Sequence, residues 1–210
     1  MISSPLSSPF ESKVGLRRKL RAARAAVTPE ARRKAARAIV RLALRAGWLR
    51  QGRRIGFYMP AKGELDITDV LTRARAMRVD CFLPVVPSAR QRTLGFTRMT
   101  GRDDWTHNRY GIPEHAVWRP KIRARRLDIL FLPLLGFDEQ GYRMGMGGGY
   151  YDTSLAFLRH RKVWQRPYLI GVAFEAQRVE ALPVDPWDVP LDAVLTEQQI
   201  YRFRRRQEGP

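Results

Sequence analysis

Residues 143–152 bring together side chains and backbone groups that could bind a phosphorylated ligand. Arg143 is followed by four glycines, Gly145 and 147–149, and then by Asp152. Glycine lets the backbone turn sharply and approach a ligand closely, so that its N–H groups can donate to an anion. An arginine guanidinium can bind two phosphate oxygens, and a carboxylate can hold a Mg²⁺ ion that bridges phosphates. The segment therefore predicts phosphate chemistry, with a metal ligand at Asp152.

The same segment differs from two well-known phosphate-binding loops. A P-loop has G-K-[ST] after its first glycines, and the dinucleotide fingerprint is G-x-G-x-x-G. Here Met146 and the glycine triplet give G-x-G-G-G. A purely structural turn is an alternative interpretation, in which Asp152 only complements the dipole of a following helix. The combination of arginine, glycines and an acid in one segment favours the functional interpretation.

The elements on either side of this segment predict where it lies. Residues 127–132 form a short apolar run and predict a buried strand. Residues 150–159 predict a helix, on which Tyr151, Leu155 and Leu158 share a face. The glycine segment therefore follows the carboxyl end of a buried strand, where ligands bind in open α/β sheets.

Two arginine-rich helices are predicted to open the chain. Apolar residues spaced three or four apart predict the first helix between Ser12 and Val27. Thr28 is a suitable N-cap for the second helix, Pro29 suits its first position, and Gly47 is placed to end it.

The first helix carries basic residues of two predicted kinds. Lys13 and Arg17 are four residues apart, so they share one face of the helix, for which a solvated basic face is an alternative interpretation. The other basic residues of this helix are interpreted as a solvated face: Arg18, Lys19, Arg21 and Arg24.

Short apolar segments alternate with helices through the rest of the chain. Further strands are predicted at residues 55–59, 81–83, 93–99, 168–173 and 193–196, the third of them antiparallel. Pro84 is expected to end a strand, and Asp66 to cap a helix. The alternation predicts an α/β fold, a three-layer sandwich with a mostly parallel sheet, opened by the two N-terminal helices. We find no internal repeat or linker, so we expect one domain over residues 1–210, with flexible ends at 1–11 and 203–210.

Composition excludes some classes of protein and leaves others open. The 210 residues include 39 Lys and Arg but 20 Asp and Glu, and the formal net charge of +19 favours polyanionic ligands without choosing among them. Cys81 is the only cysteine, which excludes an internal disulfide and a multi-cysteine metal site. There is no apolar run of membrane-spanning length, and two prolines interrupt the first ten residues, so no secretory signal is expected. These features predict a cytoplasmic protein, which we expect to be a monomer.

Residues 136–152 resemble the signature of the 5-formyltetrahydrofolate cyclo-ligase, or methenyltetrahydrofolate synthetase, family. The family pattern is close to FD-x-x-G-x-R-[LIM]-G-x-G-G-G-[YF]-YD, and the chain reads GFDEQGYRMGMGGGYYD. Four further segments occur in the family's order over residues 12–197: Lys13-x-x-x-Arg17, a strand followed by Glu64, the turn at 110–114 and the segment 191–197. The chain departs from some members at Met146, where they carry a basic side chain.

The resemblance implies an activity. Members of the family use ATP and Mg²⁺ to cyclise 5-formyltetrahydrofolate to 5,10-methenyltetrahydrofolate, with release of ADP and phosphate. The formyl oxygen attacks the γ-phosphate, and a neighbouring amine nitrogen then closes the ring and expels phosphate. Phosphoryl transfer requires mainly positioning and charge neutralisation from a protein.

The resemblance also implies roles for individual residues. Arg143 and Asp152 would be catalytic, and Asp152 and Asp192 would hold Mg²⁺, although a structural cap is an alternative for Asp192. The ATP-binding residues would be Lys13, Arg17, Arg143, Met144, Gly145, Met146, Gly147, Gly148, Gly149, Tyr150 and Tyr151. The substrate-binding residues would be Met59, Glu64, Met146, Gly147, Gly148, Gly149 and Tyr150, with the turn at 110–114 over the pocket.

Two other functions remain open. Arginine clusters could indicate a basic nucleic-acid-binding protein, but the aromatic residues are dispersed and no RNP, KH or helix-turn-helix pattern is present. An ATP-dependent kinase or ligase for another acceptor would keep the glycine segment; Glu64 and the turn at 110–114 favour folate instead. We therefore expect ATP and a folate as partners, with no specific nucleic acid and no membrane.

Overall fold

The computed structural model describes residues 12–61, 63–87, 90–101, 104–116, 119–159 and 166–203. The α-helices are α1 (Lys13–Ala26), α2 (Pro29–Arg45), α3 (Thr68–Ala76) and α4 (Tyr150–Leu155), with 3-10 turns at Ala124–Arg126, Ala156–Leu158 and Glu175–Gln177. The strands are β1 (Arg54–Gly56), β2 (Asp80–Val85), β3 (Gly95–Arg98), β4 (Trp105–His107), β5 (Pro113–His115), β6 (Lys121–Ile122), β7 (Ile129–Pro133), β8 (Gly136–Phe137), β9 (Arg143–Met144), β10 (Tyr168–Val172), β11 (Ala193–Leu195) and β12 (Ile200–Arg202).

Eight of these strands form one sheet in the order β12-β11-β10-β7-β1-β2-β3-β6. The five central strands, from β11 to β2, are parallel to one another, and the strands at both edges are antiparallel. Two small hairpins, β4–β5 and β8–β9, lie outside this sheet. The predicted mostly parallel sheet is therefore confirmed.

Apolar side chains cover both faces of the sheet. On one face, α2 and α3 pack against strand residues such as Ile55 and Phe131. On the other face, Leu155 and Leu158 pack among Leu130 and other strand residues. These two clusters make the three layers that the sequence predicts. Within the described part of the chain, no helix has both the length and the apolar character that a membrane span needs.

The two N-terminal helices begin directly after Ser12 and Thr28, of which Thr28 is the predicted N-cap. The Ser12 hydroxyl accepts a hydrogen bond from the Gly15 N–H (3.2 Å), and the Thr28 hydroxyl accepts one from the Ala31 N–H (3.2 Å). Each bond satisfies a first-turn N–H that has no partner within its helix. Gly47, in a left-handed conformation (φ +66°), follows the end of α2.

Four predicted element boundaries are wrong. β1 ends at Gly56, because the following residues leave the sheet toward a cleft. Pro84 lies inside β2, at a point where β1 has already ended, so its missing N–H costs no bond on that side. α3 begins at Thr68, and the Asp66 carboxylate accepts a hydrogen bond from the Thr68 N–H (2.8 Å). α4 ends at Leu155, where a 3-10 turn follows.

The sequence patterns also missed the shortest elements. These are β4, β5, β6, β8, β9 and β12, each of two or three residues. The predicted flexible ends lie outside the described residues, except for Phe203. Its N–H donates to the Asp192 carbonyl oxygen (3.1 Å), directly after the edge strand β12.

Candidate active site

A cleft forms where the strand order of the sheet reverses. From β1, the chain first adds β2 on one side, and it later adds β7, β10 and β11 on the other side. Tyr58 and Met59 follow β1, and Pro133 and Leu134 are the last residue of β7 and the residue after it. They line a cleft of about 660 Å³. Doubly wound sheets bind ligands at this kind of position.

The hairpin β8–β9 places Arg143 at the cleft, and Asp138 holds the hairpin. One carboxylate oxygen of Asp138 accepts hydrogen bonds from the N–H groups of Gln140 (3.0 Å) and Tyr142 (2.9 Å). The other oxygen accepts one from the Leu182 N–H (3.2 Å). This buried carboxylate therefore joins the hairpin to residues 182–188, which form another wall of the cleft.

We expect Asp138→Ala to lower the free energy of unfolding by about 2 kcal/mol or more, because three backbone N–H groups lose a charged acceptor. Denaturant unfolding would measure the change. Its neighbour Glu139 is a matched control, since its carboxylate pairs with Arg178 on the surface (2.8 Å). Glu139→Ala should cost less than about 1 kcal/mol. Equal losses in the two variants would contradict a specific role for Asp138.

The glycine segment borders open space. Gly147 and Gly149 have positive φ angles of +103° and +67°, which side-chain-bearing residues rarely adopt. A Cβ atom added at Gly145 or Gly147 would meet no heavy atom within 4 Å. The backbone of this loop is therefore exposed to a ligand in the cleft.

Arg143 and Asp152 form an ion pair in the wall of the cleft. Arg143 Nη2 donates to Asp152 Oδ1, and Arg143 Nη1 donates to the Val189 carbonyl oxygen (2.8 Å). The Arg143 side chain is 5% exposed, whereas that of Asp152 is 37% exposed. The carboxylate is thus held from its buried side and remains accessible from the cleft.

Asp152 suits a Mg²⁺ ion that takes its other ligands from phosphates and water. Among the described residues, its second oxygen, Oδ2, has no hydrogen-bond partner. In the same part of the chain, no group of three or more His, Cys, Asp or Glu side chains is arranged to hold a metal ion. Mg²⁺ is commonly held by one or two carboxylates together with phosphate oxygens and waters, and a single carboxylate fits that pattern.

The structure does not bring Asp192 to this site, which corrects the prediction of a metal ligand there. Asp192 precedes β11, so it lies at the amino edge of the parallel strands, whereas the cleft lies at their carboxyl edge. Its carboxylate is buried and accepts a hydrogen bond from the Leu169 N–H (2.7 Å). Asp192 is a structural residue that joins β10 to β11.

Helix α1 contributes two of the predicted cations to the cleft. Lys13 forms an ion pair with Asp185, and its Nζ lies 4.0 Å from Asp188 Oδ2. Arg17 Nε donates to the Gly145 carbonyl oxygen (3.3 Å). With Arg143, these cations surround the glycine segment, and we call this part of the cleft the phosphate end.

Glu64 lies on the wall of the same cleft, on the turn after β1. Its Oε2 accepts a hydrogen bond from the Ala61 N–H (2.9 Å), and its Oε1 lies 3.9 Å from Arg24 Nη1. Burial raises the pKa of Glu64. The hydrogen bond from Ala61 and the nearby charge of Arg24 both act to lower this pKa, and so oppose the effect of burial. Met59 adds an apolar side chain. We call this part of the cleft, formed by Tyr58, Met59, Glu64 and Arg24, the carboxylate end.

The prediction that Arg24 belongs to a solvated face is therefore wrong. It is 8% exposed, and it lines the cleft. The sequence held a signal for this position, since Lys13, Arg17 and Arg24 recur at i, i+4 and i+11, which is one face of a helix.

The turn before β5 reaches the cleft, as predicted. Tyr110 lines the cleft, and its hydroxyl lies 2.9 Å from that of Tyr150, which also bonds Arg109 Nη2. The hydrogen bond with Tyr110 is the main cause of a raised pKa at Tyr150. These contacts hold the turn against the start of α4.

All of the predicted site residues except Asp192 line this one cleft. The residues that sequence reasoning missed there include Arg24, Tyr58, Asp185, Trp187 and Asp188. The last three belong to an irregular segment, 182–188, whose position depends on the distant carboxylate of Asp138. No local pattern in the sequence predicts that contact.

Known proteins resemble this chain over most of its length. The model of the 5-formyltetrahydrofolate cyclo-ligase family matches residues 9–197. The 5-formyltetrahydrofolate cyclo-ligase of Haemophilus influenzae is 32% identical over 188 residues, which cover 86% of this chain and 95% of the relative. The enzyme of the same name from Escherichia coli is 34% identical over 150 residues, which cover 71% of this chain and 80% of the relative.

A solved structure extends the similarity to three dimensions. The NMR structure of Aquifex aeolicus 5,10-methenyltetrahydrofolate synthetase superposes with a TM-score of 0.77 and 26% sequence identity. The superposition covers 94% of this chain and 96% of that protein. The chain therefore belongs to the 5-formyltetrahydrofolate cyclo-ligase family.

Proposed function

We propose that this protein catalyses the ATP- and Mg²⁺-dependent cyclisation of 5-formyltetrahydrofolate to 5,10-methenyltetrahydrofolate, with release of ADP and phosphate. The observation that carries the proposal is one cleft whose lining includes both the cations of the phosphate end and the buried Glu64 carboxylate. The first set suits a nucleotide, and the second suits a ring that carries N–H donors. Family membership supports the same pair of substrates.

At the phosphate end, the chain supplies positive charge and backbone donors. Lys13, Arg17 and Arg143 lie around the loop 145–149, whose backbone is open to the cleft. Charges placed in advance around a transferring phosphoryl group stabilise its transition state without reorganisation. Mg²⁺ bound at Asp152 would neutralise further charge on the phosphates. Arg143 holds the Asp152 carboxylate in place for this role.

At the carboxylate end, the chain supplies an acceptor for the pterin ring. We infer that Glu64 accepts hydrogen bonds from the amino and ring N–H groups of the pterin, and that Met59 packs against the ring. The folate would then present its formyl oxygen toward the γ-phosphate. Phosphorylation turns an inert amide oxygen into a leaving group, and the neighbouring amine nitrogen closes the ring and expels phosphate.

We propose that the phosphoryl acceptor is a folate, in preference to the acceptor of another kinase or ligase. A kinase or ligase for another acceptor would have the same phosphate end, but it would not need the buried carboxylate at Glu64. We also propose a single-domain, monomeric, cytoplasmic enzyme with small-molecule partners and no specific nucleic acid.

An absorbance assay tests the proposed function directly. The methenyl product absorbs in the near ultraviolet, where the formyl substrate does not. We expect the signal to grow only when the protein, ATP, Mg²⁺ and 5-formyltetrahydrofolate are all present, and omission of each component is the control. Folded protein that forms no product at any practical concentration would contradict the proposal.

A further inference from the structure

The buried guanidinium of Arg24 is an unusual feature of the cleft. Its Nη1 is fully buried and, among the described residues, has no hydrogen-bond partner. The nearest acid is Glu64, at 3.9 Å between Arg24 Nη1 and Glu64 Oε1, and each side chain is 10% exposed. Burying charges at this depth costs free energy, and well-packed apolar side chains in their place are often as stable or more stable. The contribution of this pair to folding therefore does not account for it.

The local structure keeps Arg24 and Glu64 close together. Arg32, on α2, donates to the carbonyl oxygens of Arg24 (2.5 Å), Val27 (2.9 Å) and Gly63 (2.8 Å). These bonds join the end of α1 to the turn that carries Glu64. Gly63 lies beside the guanidinium, since a Cβ there would be in ordinary van der Waals contact with Arg24 Nε (3.7 Å), and its φ of +87° favours glycine in this turn.

The distance between the two groups decides what Arg24 can do for Glu64. At 3.9 Å the guanidinium acts on Oε1 through its charge and does not occupy the oxygen with a hydrogen bond. Oε2 is already bonded to the Ala61 N–H. Oε1 therefore stays available to a ligand, in a place where burial alone would favour a neutral carboxyl group.

Among the described residues, no second cation acts on Glu64. Tyr58 and Tyr151 are its other titratable neighbours, and burial followed by the charge of Glu64 raises the pKa of both, so they stay neutral. Arg21 and Arg32 act on Arg24 itself, as like charges that lower its pKa after the larger effect of burial. Arg24 is thus the charge that opposes the effect of burial on Glu64.

We propose that Arg24 is a positioning residue for substrate binding, which keeps the Glu64 carboxylate charged and leaves its Oε1 open to the N–H groups of the substrate ring. This inference rests on the proposed function, because it takes the pterin of 5-formyltetrahydrofolate as the ligand. It assigns Arg24 a role that acts through Glu64, with no contact to the reacting atoms.

Equilibrium binding across pH tests this role without turnover. Binding of 5-formyltetrahydrofolate without ATP would be measured by calorimetry from about pH 5 to about pH 9, around the range of a raised carboxyl pKa. The charged carboxylate binds the ring, so affinity should fall as the pH drops through the pKa of Glu64. In Arg24→Gln the nearby cation is lost, the pKa of Glu64 rises further, and the midpoint of the binding curve should move to higher pH.

The variant should therefore bind more weakly than wild type at pH values below its shifted midpoint and recover the wild-type affinity above it. Arg24→Lys keeps the charge and should restore most of the wild-type midpoint. Arg18→Gln is the matched control, because it removes an exposed arginine from the same helix and should leave the midpoint unchanged. Thermal melts of each variant would monitor folding.

A double-variant comparison isolates the action through Glu64. Glu64→Gln should bind weakly at every pH, and the double variant Arg24→Gln, Glu64→Gln should bind no more weakly than Glu64→Gln alone.

The possible outcomes separate this inference from the proposed function. A wild-type protein that neither binds nor converts 5-formyltetrahydrofolate would overturn both. An active wild type with an unchanged midpoint in Arg24→Gln would overturn the role of Arg24 alone. A loss of affinity that is equal at every pH, and that lysine does not restore, would also overturn it, since a structural role would give that result.

Discussion

Replacing Arg143 by methionine is expected to lower kcat/KM about 100- to 1000-fold, the effect of removing one fixed donor from a charged transition state. The guanidinium lies in the wall of the cleft and holds the Asp152 carboxylate. Its loss removes positive charge beside the proposed site of phosphoryl transfer and also frees the proposed metal ligand. Steady-state kinetics with ATP and 5-formyltetrahydrofolate would measure the change.

Two further variants separate charge from structure at this position. Arg143→Lys keeps the charge but loses the planar fork that bonds Val189 and Asp152 together, so it should fall between methionine and wild type. Arg159→Met is the matched control, since Arg159 is exposed and donates to the Trp187 carbonyl oxygen (3.0 Å) on the same segment. Near wild-type kinetics in Arg143→Met would contradict the assignment of the phosphate end.

Asp152→Asn is expected to lower kcat/KM by about tenfold to 100-fold, which corresponds to about 1.4 to 2.8 kcal/mol of transition-state stabilisation. The amide keeps the size of the side chain but loses the charge that a Mg²⁺ ion requires. Kinetics over a Mg²⁺ titration should show a higher Mg²⁺ requirement in the variant. Melting should change much less than kcat/KM, because the amide oxygen can still accept the hydrogen bond from Arg143 Nη2.

A purely structural role for Asp152 predicts the reverse pattern. Loss of a helix-dipole interaction would cost about 0.3–1 kcal/mol of stability and leave activity nearly intact. Asp69 provides the comparison, since it is an exposed acid in the first turn of α3, outside the cleft. If Asp152→Asn and Asp69→Asn behave alike in kinetics and melts, the metal-holding role is wrong.

Features that depend on neighbouring residues could be predicted from the sequence. The predicted cap at Thr28 acts over three residues, and α2 begins directly after it. The strand, glycine segment and helix around Arg143 are also contiguous, so the phosphate end could be predicted as a unit. The family resemblance then placed Lys13 and Glu64 in the same cleft.

Features that depend on distant contacts could not be predicted. Arg24 stands among other basic residues of α1, which is typical of a solvated helix face. It is buried because the turn that carries Glu64 packs against it. Asp192 carries a carboxylate, as a metal ligand would. The pairing of β10 with β11 nevertheless places it at the edge of the sheet opposite the cleft. Asp138 bonds Leu182, 44 residues away. In each case the decisive partner is far away in the sequence.

The ion pair between Lys13 and Asp185 joins positions that are 172 residues apart. A nascent chain therefore cannot complete the proposed nucleotide-binding surface until the segment 182–188 has been synthesised. Closing so long a loop costs chain entropy. Helix α1 carries Lys13, Arg17 and Arg24, so these three cations reach the cleft together. Detachment of this helix would remove cations from both ends of the cleft in one event, and substrates bound as proposed should hold the helix in place.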